Sequence, residues 1–544
     1  MIKMNYLHRF FLSLALSVIF LVSGCDTRDL HDLNINPSTI NTIDLNYFFT
    51  AAELGSASNG SAEANRNADW STNIGMCAHA IQQLAYAGAS KTGASGDKYQ
   101  EDGELSNNLF QLYYTDVAQN CAEIIRQTGP GGFDEGNKVN MRSAARILRV
   151  LCFHRLTDWF GSIPYFDANK GIDGIFHPKY DKQKDIYADL FKELEEATAA
   201  LSSTNPDEGF AKADFIYNGD AEKWKRFGYS LMLRLAMRIS NVDAVSAGTY
   251  VTKAVAGGVF LSNDDNVWVA MADGPGQWKN QNGISRVFNP GDGGQGSFLS
   301  KTLIDWLMGP DKSSTVDDDP RLMIISGGIA DWTPDSWTVL LGGDDPLKQK
   351  GLPNGLDQPM LDAMEGHPVN QWHTYSRINF KMLQNSDPYP LMNYAEPQFL
   401  MAEALERGIG SGITGTARSH YEAGVKAACQ MWTPYDPSLS VSDSAVAAYL
   451  AIYPYGVAKP ALEMIGDQMW ISKWMNWWDA WSDWRRTGYP VLKPVNYPGN
   501  DTGGTIPRKL IIPGVEAAGN PNYATGATQP DHFIGKVWWD GGPE

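Results

Sequence analysis

Residues 145–168 read ARILRVLCFHRLTDWFGSIPYFDA, and their spacing sets the fold class. Ile147, Leu148, Leu151, Cys152, Leu156 and Trp159 recur at steps of three and four, the pattern of a helix that buries one face. The same period appears on both sides of this stretch. Residues 104–127 carry Leu109, Leu112, Tyr113, Val117, Cys121 and Ile124, and residues 184–201 carry Ile186, Leu190, Leu194 and Leu201. Residues 220–240 place Trp224, Phe227, Leu231, Leu235 and Ile239 on one face, with Asp220 as the N-cap. Residues 396–407, 416–432 and 460–484 continue the theme. The spacing predicts a mainly α protein whose Ala- and Leu-rich helices pair as in helical-repeat arrays. No fixed repeat period is visible, so periodicity alone leaves a tetratricopeptide-like array open.

Between about 257 and 390 the character changes. Gly291-Asp292-Gly293-Gly294, Asp317-Asp318-Asp319-Pro320 and Gly342-Gly343-Asp344-Asp345-Pro346 break helices and make turns. Only short apolar pieces survive, such as 267–271 and 322–325. This is a loop-rich elaboration on the helices rather than a separate domain, and long ordered loops are usually functional. The stretch 485–544 is again irregular. The plan is therefore one domain over 25–544, with a helical scaffold at about 40–256 and 391–484.

Composition excludes several roles. Of 544 residues, 43% are hydrophobic, enough for a large core and too many for a disordered chain. Lys and Arg number 44 against 62 acids, a net charge of −18 with no basic run, so nucleic acid is not a partner. Five cysteines leave one for a separate job. Lys3 and Arg9 precede Phe10 to Val22, an uncharged stretch of 13 residues. That is short of the ~20 needed to span a bilayer and reads as a signal peptide over 1–24. Its end, Val22-Ser23-Gly24-Cys25, resembles a bacterial lipobox, which makes Cys25 the lipidation site. Acyl chains at ~0.8 kcal/mol per CH₂ would anchor the protein to a membrane without embedding it. Cys77, Cys121, Cys152 and Cys429 have no metal-ligand spacing and read as small buried residues, one disulfide being the alternative.

Several long motifs, in order, resemble the SusD/RagB family of Bacteroidetes outer-membrane lipoproteins. After the lipobox comes Asp32-Leu33-Asn34-Ile35-Asn36-Pro37. The 145–168 stretch is similar to the family's helix ending in Phe-Gly and then Pro-Tyr. NYAEPQFLMAEALERG at 393–408 and WSDWRRTGYPVL at 481–492 are the most specific pieces. Ile506-Pro507-Arg508-Lys509-Leu510 leads into the family's Pro-Gly-x-Glu tail. The resemblance covers the chain except 257–390. It implies a tetratricopeptide-like scaffold with a loop-rich, irregular half, held on the cell surface over a SusC-like, TonB-dependent β-barrel transporter. It also implies capture of glycans, or of oligopeptides in some members, without catalysis.

A search for catalytic motifs agrees with that implication. HExxH, GxSxG, the P-loop and a placed GxGxxG are all missing. Chance carboxylate pairs leave a surface glycoside hydrolase as a lesser alternative. His367 and His373 sit in a loop, and Asp317 to Asp319 or Asp344-Asp345 could offer oxygen ligands to Ca²⁺. The EF-hand spacing is absent, so neither a metal nor a cofactor is expected. Trp470, Trp474, Trp477, Trp478, Trp481 and Trp484 form a helix stripe suited to packing, Arg485-Arg486 reads as paired to acids, and Trp159-Phe160 as core. Tryptophans in polar loops are different, because a flat ring can stack on a sugar's C–H face while nearby amides pair with its hydroxyls. The ligand-binding candidates are Trp70, Trp278, Asn280, Trp332, Trp337 and Trp372.

Overall fold

The computed structural model describes residues 43–544 except 58–64, 89–90, 92–94, 103–104, 275–279, 289–295, 334–335, 340–341 and 365–373. The unit Leu45–Glu544 is built on eleven described α-helices of ten or more residues. The first half holds α1 (Leu45–Ser56), α2 (Gln119–Thr128), α3 (Val139–Phe160), α4 (Gln183–Ala200), α5 (Ala221–Arg238) and α6 (Ala244–Gly257). After the loop-rich half come α7 (Ala395–Arg407), α8 (Ala417–Gln430), α9 (Asp443–Ile452), α10 (Ala461–Ser472) and α11 (Trp477–Thr487). Each of α1 to α5 packs on the next, α5 also hands over to α7, and α7 packs on both α8 and α10. This chain of helix pairs is the helical-repeat scaffold expected from the periodicity.

Local chemistry explains the boundaries. Asp220 caps α5 by accepting from the N–H groups of Glu222 and Lys223. Gly161, at φ 81°, ends α3 in a conformation that a side chain resists. Two blocks depart from the expected single helices. Within 104–127 a π-turn, Tyr113–Ala118, separates a short helix from α2. The tryptophan-rich block 460–484 breaks at 473–476, where Met475 takes φ 71° and the buried Lys473 ammonium pairs with Glu396 and Asp483. The six tryptophans therefore sit on two helices and the link between them rather than on one stripe. All six are buried, Trp484 the least at 8% exposed.

The loop-rich half makes only short strands. Leu84–Ala85 (β1) pairs with Phe298–Leu299 (β5), and Ile163–Pro164 (β2) with Tyr180–Asp181 (β3). Val267–Val269 (β4) pairs with Tyr389–Met392 (β9). Ser326–Thr333 (β6) lies between Ser336–Val339 (β7) and Ser376–Ile378 (β8). Leu322–Ile325 is a single helical turn.

The core carries an ionic net that periodicity does not reveal. Arg155 of α3, Arg234 and Arg238 of α5, Lys473, and Arg485 and Arg486 of α11 are all buried, as are Asp158, Glu396, Glu403, Asp479 and Asp483. Arg234 grips Glu396 at 2.6 and 2.7 Å, and Arg486 grips Glu403 at 2.5 and 2.7 Å. Arg485 instead donates to the carbonyls of Arg508 and Asp158 and stacks on Trp481, so only Arg486 of the pair meets an acid directly. Cys77, Cys121, Cys152 and Cys429 are buried free thiols.

Candidate functional site

Trp70 is the second residue of a ten-residue π-helix, Asp69–Ala78. Such wide turns usually appear as single turns at functional sites. Here Ser71 and Thr72 donate their hydroxyls to the carbonyls of Asn67 and Ala68, both at 2.6 Å, and Asn73 donates to Asp69 at 2.8 Å. Such bonds to residues four back compete with the helical ladder. Asn73 also donates to the Met475 carbonyl, and its own amide oxygen accepts from the Trp478 N–H, which fastens the turn to α11. The other nine residues of the π-helix are buried, while Trp70 is 37% exposed. The indole is thus held at the surface by a rigid support.

The π-helix runs into His79, whose ring is fully buried. Its Nδ1 lies 3.2 Å from the Gly75 carbonyl and its Nε2 2.9 Å from the Ser297 hydroxyl. A carbonyl only accepts, so Nδ1 carries the proton and Nε2 accepts from Ser297. The imidazole lies parallel to the half-buried Tyr86 ring, with centroids 6.4 Å apart. On β5's side the Gly296 backbone approaches Tyr86 so closely that a Cβ there would stand 2.9 Å from the ring.

Lys98 backs this surface from within, at 3% exposed. Its ammonium donates to the carbonyls of Tyr86 at 2.8 Å and Gly88 at 3.1 Å, and lies 5.6 Å from the Tyr86 ring and 5.8 Å from the Tyr497 ring. Its neighbour Asp97 is buried and accepts from Asn354 at 2.7 Å and from the Gly355 N–H at 3.0 Å. The short helix Ser95–Lys98 reaches this position because Gly96 rests on the π-helix; a Cβ there would be 1.9 Å from the Met76 carbonyl oxygen. Tyr86 and Lys98 were not found from sequence. Their only signal was an aromatic followed by a Gly/Ser-rich run, LAYAGASKTG at 84–93.

Of the expected ligand residues, Trp70 and Asn280 lie on neighbouring elements. The short helix Gly283–Phe288, three residues after Asn280, packs on both the Asn65–Ala68 helix and the π-helix. The Asn280 carbonyl accepts from the Ala272 N–H at 2.7 Å. Trp332 and Trp337 oppose each other in the β6–β7 register. Their side chains, and Trp278, Trp372, His367, His373 and Cys25, lie outside the described residues. Among the acidic turns, Asp319 is bound at both oxygens by Arg321, and Asp345 caps the turn that follows it. No group of three or more metal-ligating side chains occurs among the described residues.

The buried titratable groups predict a pH response. Burial raises Asp97 and Asp158 to about 6, against the pull of Lys98 and Arg238, and raises Glu53 as well. Their stabilising contribution is complete below about pH 4 and is lost as pH rises through about 6. Burial lowers His79 to about 3 and His154 well below its usual value. That contribution is present above about pH 6.5 and is lost on acidification. Asp387, which burial raises to about 7, joins the first trend, so the unfolding midpoint in urea does not fall from pH 7 to 4.5. Below about pH 4 it falls, because burial of Asp479, Asp483 and Glu403 is outweighed by arginine and lysine charges that hold them ionised. In His79→Gln the midpoint rises on acidification from pH 6.5 to 4.5. A steady wild-type decline across that window would contradict this balance.

The comparisons with known proteins fit this architecture. The SusD-like family model, described as starch-binding and associating with the outer membrane, matches residues 38–513. A solved structure described as a chitin-binding protein is 29% identical, with a TM-score of 0.74 over 91% of this chain and all of its own. A SusD-like protein from Bacteroidetes AC2a gives 0.76 at 24% identity, covering 92% of this chain and all of that one. A chitin-binding SusD homolog from Flavobacterium johnsoniae gives 0.70 at 24% identity, covering 91% and 98%. No curated protein matches the chain. No described helix is long and apolar enough to cross a membrane.

Proposed function

We propose, from the premise that this chain belongs to the SusD-like family, that it captures a glycan at the outer membrane and releases it uncleaved to a SusC-like, TonB-dependent barrel. Lipid on Cys25 would provide the tether. The observation that carries the reading is the exposed Trp70 indole on a rigid, buried π-helix. Tyr86, which lies parallel to His79 beyond the far end of that π-helix, and the Asn280 segment supply aromatic and polar groups of the kind a saccharide needs. Two of the raised carboxyls fit a non-catalytic role. Asp97 is consumed by Asn354 and Gly355, and Asp158 by Tyr187 and Trp539, so neither is offered to a glycosidic oxygen.

The relative described as chitin-binding makes β-linked N-acetylglucosamine oligomers the first probes, with malto-oligosaccharides as the second arm. Titration calorimetry of the chain cut after residue 25 is expected to give a micromolar to millimolar Kd, about 4–8 kcal/mol, sufficient for a tethered receptor. The glycan is recovered at its original length. Trp70→Ala weakens binding about tenfold, or ~1.4 kcal/mol, and lowers the melting temperature far less than loss of a fully buried tryptophan does, because the ring is 37% exposed. Affinity for peptide pools alone would replace this reading with oligopeptide capture, and shortened chains would make the protein a hydrolase.

A further inference from the structure

A groove of about 720 Å³ lies between the short helix Lys301–Leu307, the turn after it, and helices α8 to α10. Its size falls within the ~300–1,000 Å³ typical of ligand sites. We propose that this groove is a second site for a neutral saccharide, a reading that rests on the glycan-receptor function above.

Two half-buried rings form its walls. Trp306 packs edge-on against the buried Trp470, at 5.9 Å and 75°, and Tyr453 lies against Tyr449 at 5.1 Å. Both rings are backed by core residues and so present fixed faces. The polar groups are acceptors in need of donors. Asp467 is 4% exposed, and its Oδ2 takes the Lys459 ammonium at 2.6 Å. Its buried Oδ1 has no well-formed hydrogen bond, although the Trp306 indole lies near the carboxylate. Asp317 accepts the Asp311 N–H at Oδ2, at 2.9 Å, and its carbonyl takes the Tyr453 hydroxyl at 3.0 Å, while its buried Oδ1 is also unpartnered. An unmet buried acceptor is costly, and a ligand hydroxyl would relieve that cost.

Charge and topology select the ligand class. Lys301, Lys312 and Lys459 face Asp305, Asp317 and Asp467, and the pairs Lys301–Asp305 and Lys459–Asp467 are closed. The groove therefore holds no net charge to attract a phosphate or a polyanion. Its described walls are helices and turns, with no strand edge on which a peptide could pair its backbone. Hydroxyl donors on an apolar ring meet both requirements.

The groove and the β1–β5 pair beside Tyr86 share one segment. Chain leaves β5, which pairs with β1, and enters the Lys301–Leu307 helix directly. Ser300 and Thr302 both bond Gln82, just before β1, and the Trp470 indole donates to the Ile81 carbonyl at 3.0 Å. Two fixed sites on one polymer raise effective concentration, so a long chain binds more tightly than its trimer.

Calorimetry with chitotriose and maltotriose tests this. The wild-type chain is expected to bind two molecules of one trimer, with one event weakened about tenfold by Trp70→Ala and the other at least fivefold by Trp306→Ala. Asp317→Ala, which leaves the Trp306–Trp470 packing intact, is expected to weaken the second event at least fivefold. Trp306→Ala should also cut affinity for the corresponding polymer at least fivefold. A single event weakened by Trp70→Ala and indifferent to both groove variants overturns the second site while keeping the receptor. Absence of binding to any saccharide overturns both readings.

Discussion

Asp479→Ala is expected to lower the free energy of unfolding by about 3–5 kcal/mol, because it leaves buried guanidinium charge without its counter-ion. Asp479 accepts from Arg155 at 2.9 Å, from Arg234 at 3.1 Å and from Asn476 at 2.9 Å. Burial pushes its carboxyl up, but Arg155, Arg234 and Lys473 outweigh that and hold it well below the usual carboxylate range. Arg234 keeps Glu396 when Asp479 is lost, whereas Arg155 retains only the neutral oxygens of Tyr113, Asn476 and Leu391. The net joins α3, α5, α7 and α11, so the loss loosens helices far apart in sequence. The double variant Asp479→Leu with Arg155→Met removes charge from both sides and is expected to recover at least half of the loss, since buried pairs often exchange for apolar groups at little cost. Urea unfolding followed by circular dichroism reads both. A single variant within about 1 kcal/mol of wild type would show that the net is not under electrostatic load.

This net also marks what sequence could not convey. The apolar stripe of 143–160 was legible because hydrophobic spacing reports burial directly, and α3 starts and ends within a few residues of it. Arg155, Arg234 and Arg238 interrupt such stripes and read as solvent-facing when each is considered alone. Arg155 and Arg234 are buried because their acids arrive from α7 and α11, and Arg238 because Asp158 of α3 and Asp483 of α11 both meet it. The break at 473–476 was hidden for the same reason: Lys473 is held by Glu396 and Asp483, and no local breaker announces the turn. At the candidate site, Trp70 was legible as an aromatic among amides. Tyr86 and Lys98 were not, since their roles come from the close approach of Gly296 and from carbonyls that only the folded loop presents. The groove beside Trp306 was invisible, because its two walls come from residues 301–317 and 421–468.

Trp481→Ala is expected to cost about 3–5 kcal/mol, as large-to-small changes at buried tryptophans do, and to leave any glycan site on correctly folded molecules intact. The indole is fully buried, and its Nε1 donates to the Pro507 carbonyl at 2.9 Å. The Arg485 guanidinium stacks on its face at 3.8 Å and from there donates to the carbonyls of Arg508 and Asp158. Truncation therefore opens a cavity, strips a buried carbonyl of its donor and removes the platform that aims Arg485. The same stretch of tail is also held by the Leu510 N–H on the Trp159 carbonyl at 2.9 Å and by the Ser106 hydroxyl on the Ile511 carbonyl, so the C-terminal segment loses one of several attachments. Trp481→Phe keeps most of the volume and the stacking face, and its cost should be about half as large. The contrast with Trp70→Ala is the sharper measurement: one indole removed from the interior lowers the urea midpoint with ligand affinity per folded molecule unchanged, and one removed from the surface lowers affinity with a far smaller change in midpoint. If Trp481→Ala instead weakened saccharide binding without moving the midpoint, the division between packing and binding tryptophans drawn from their exposure would be wrong.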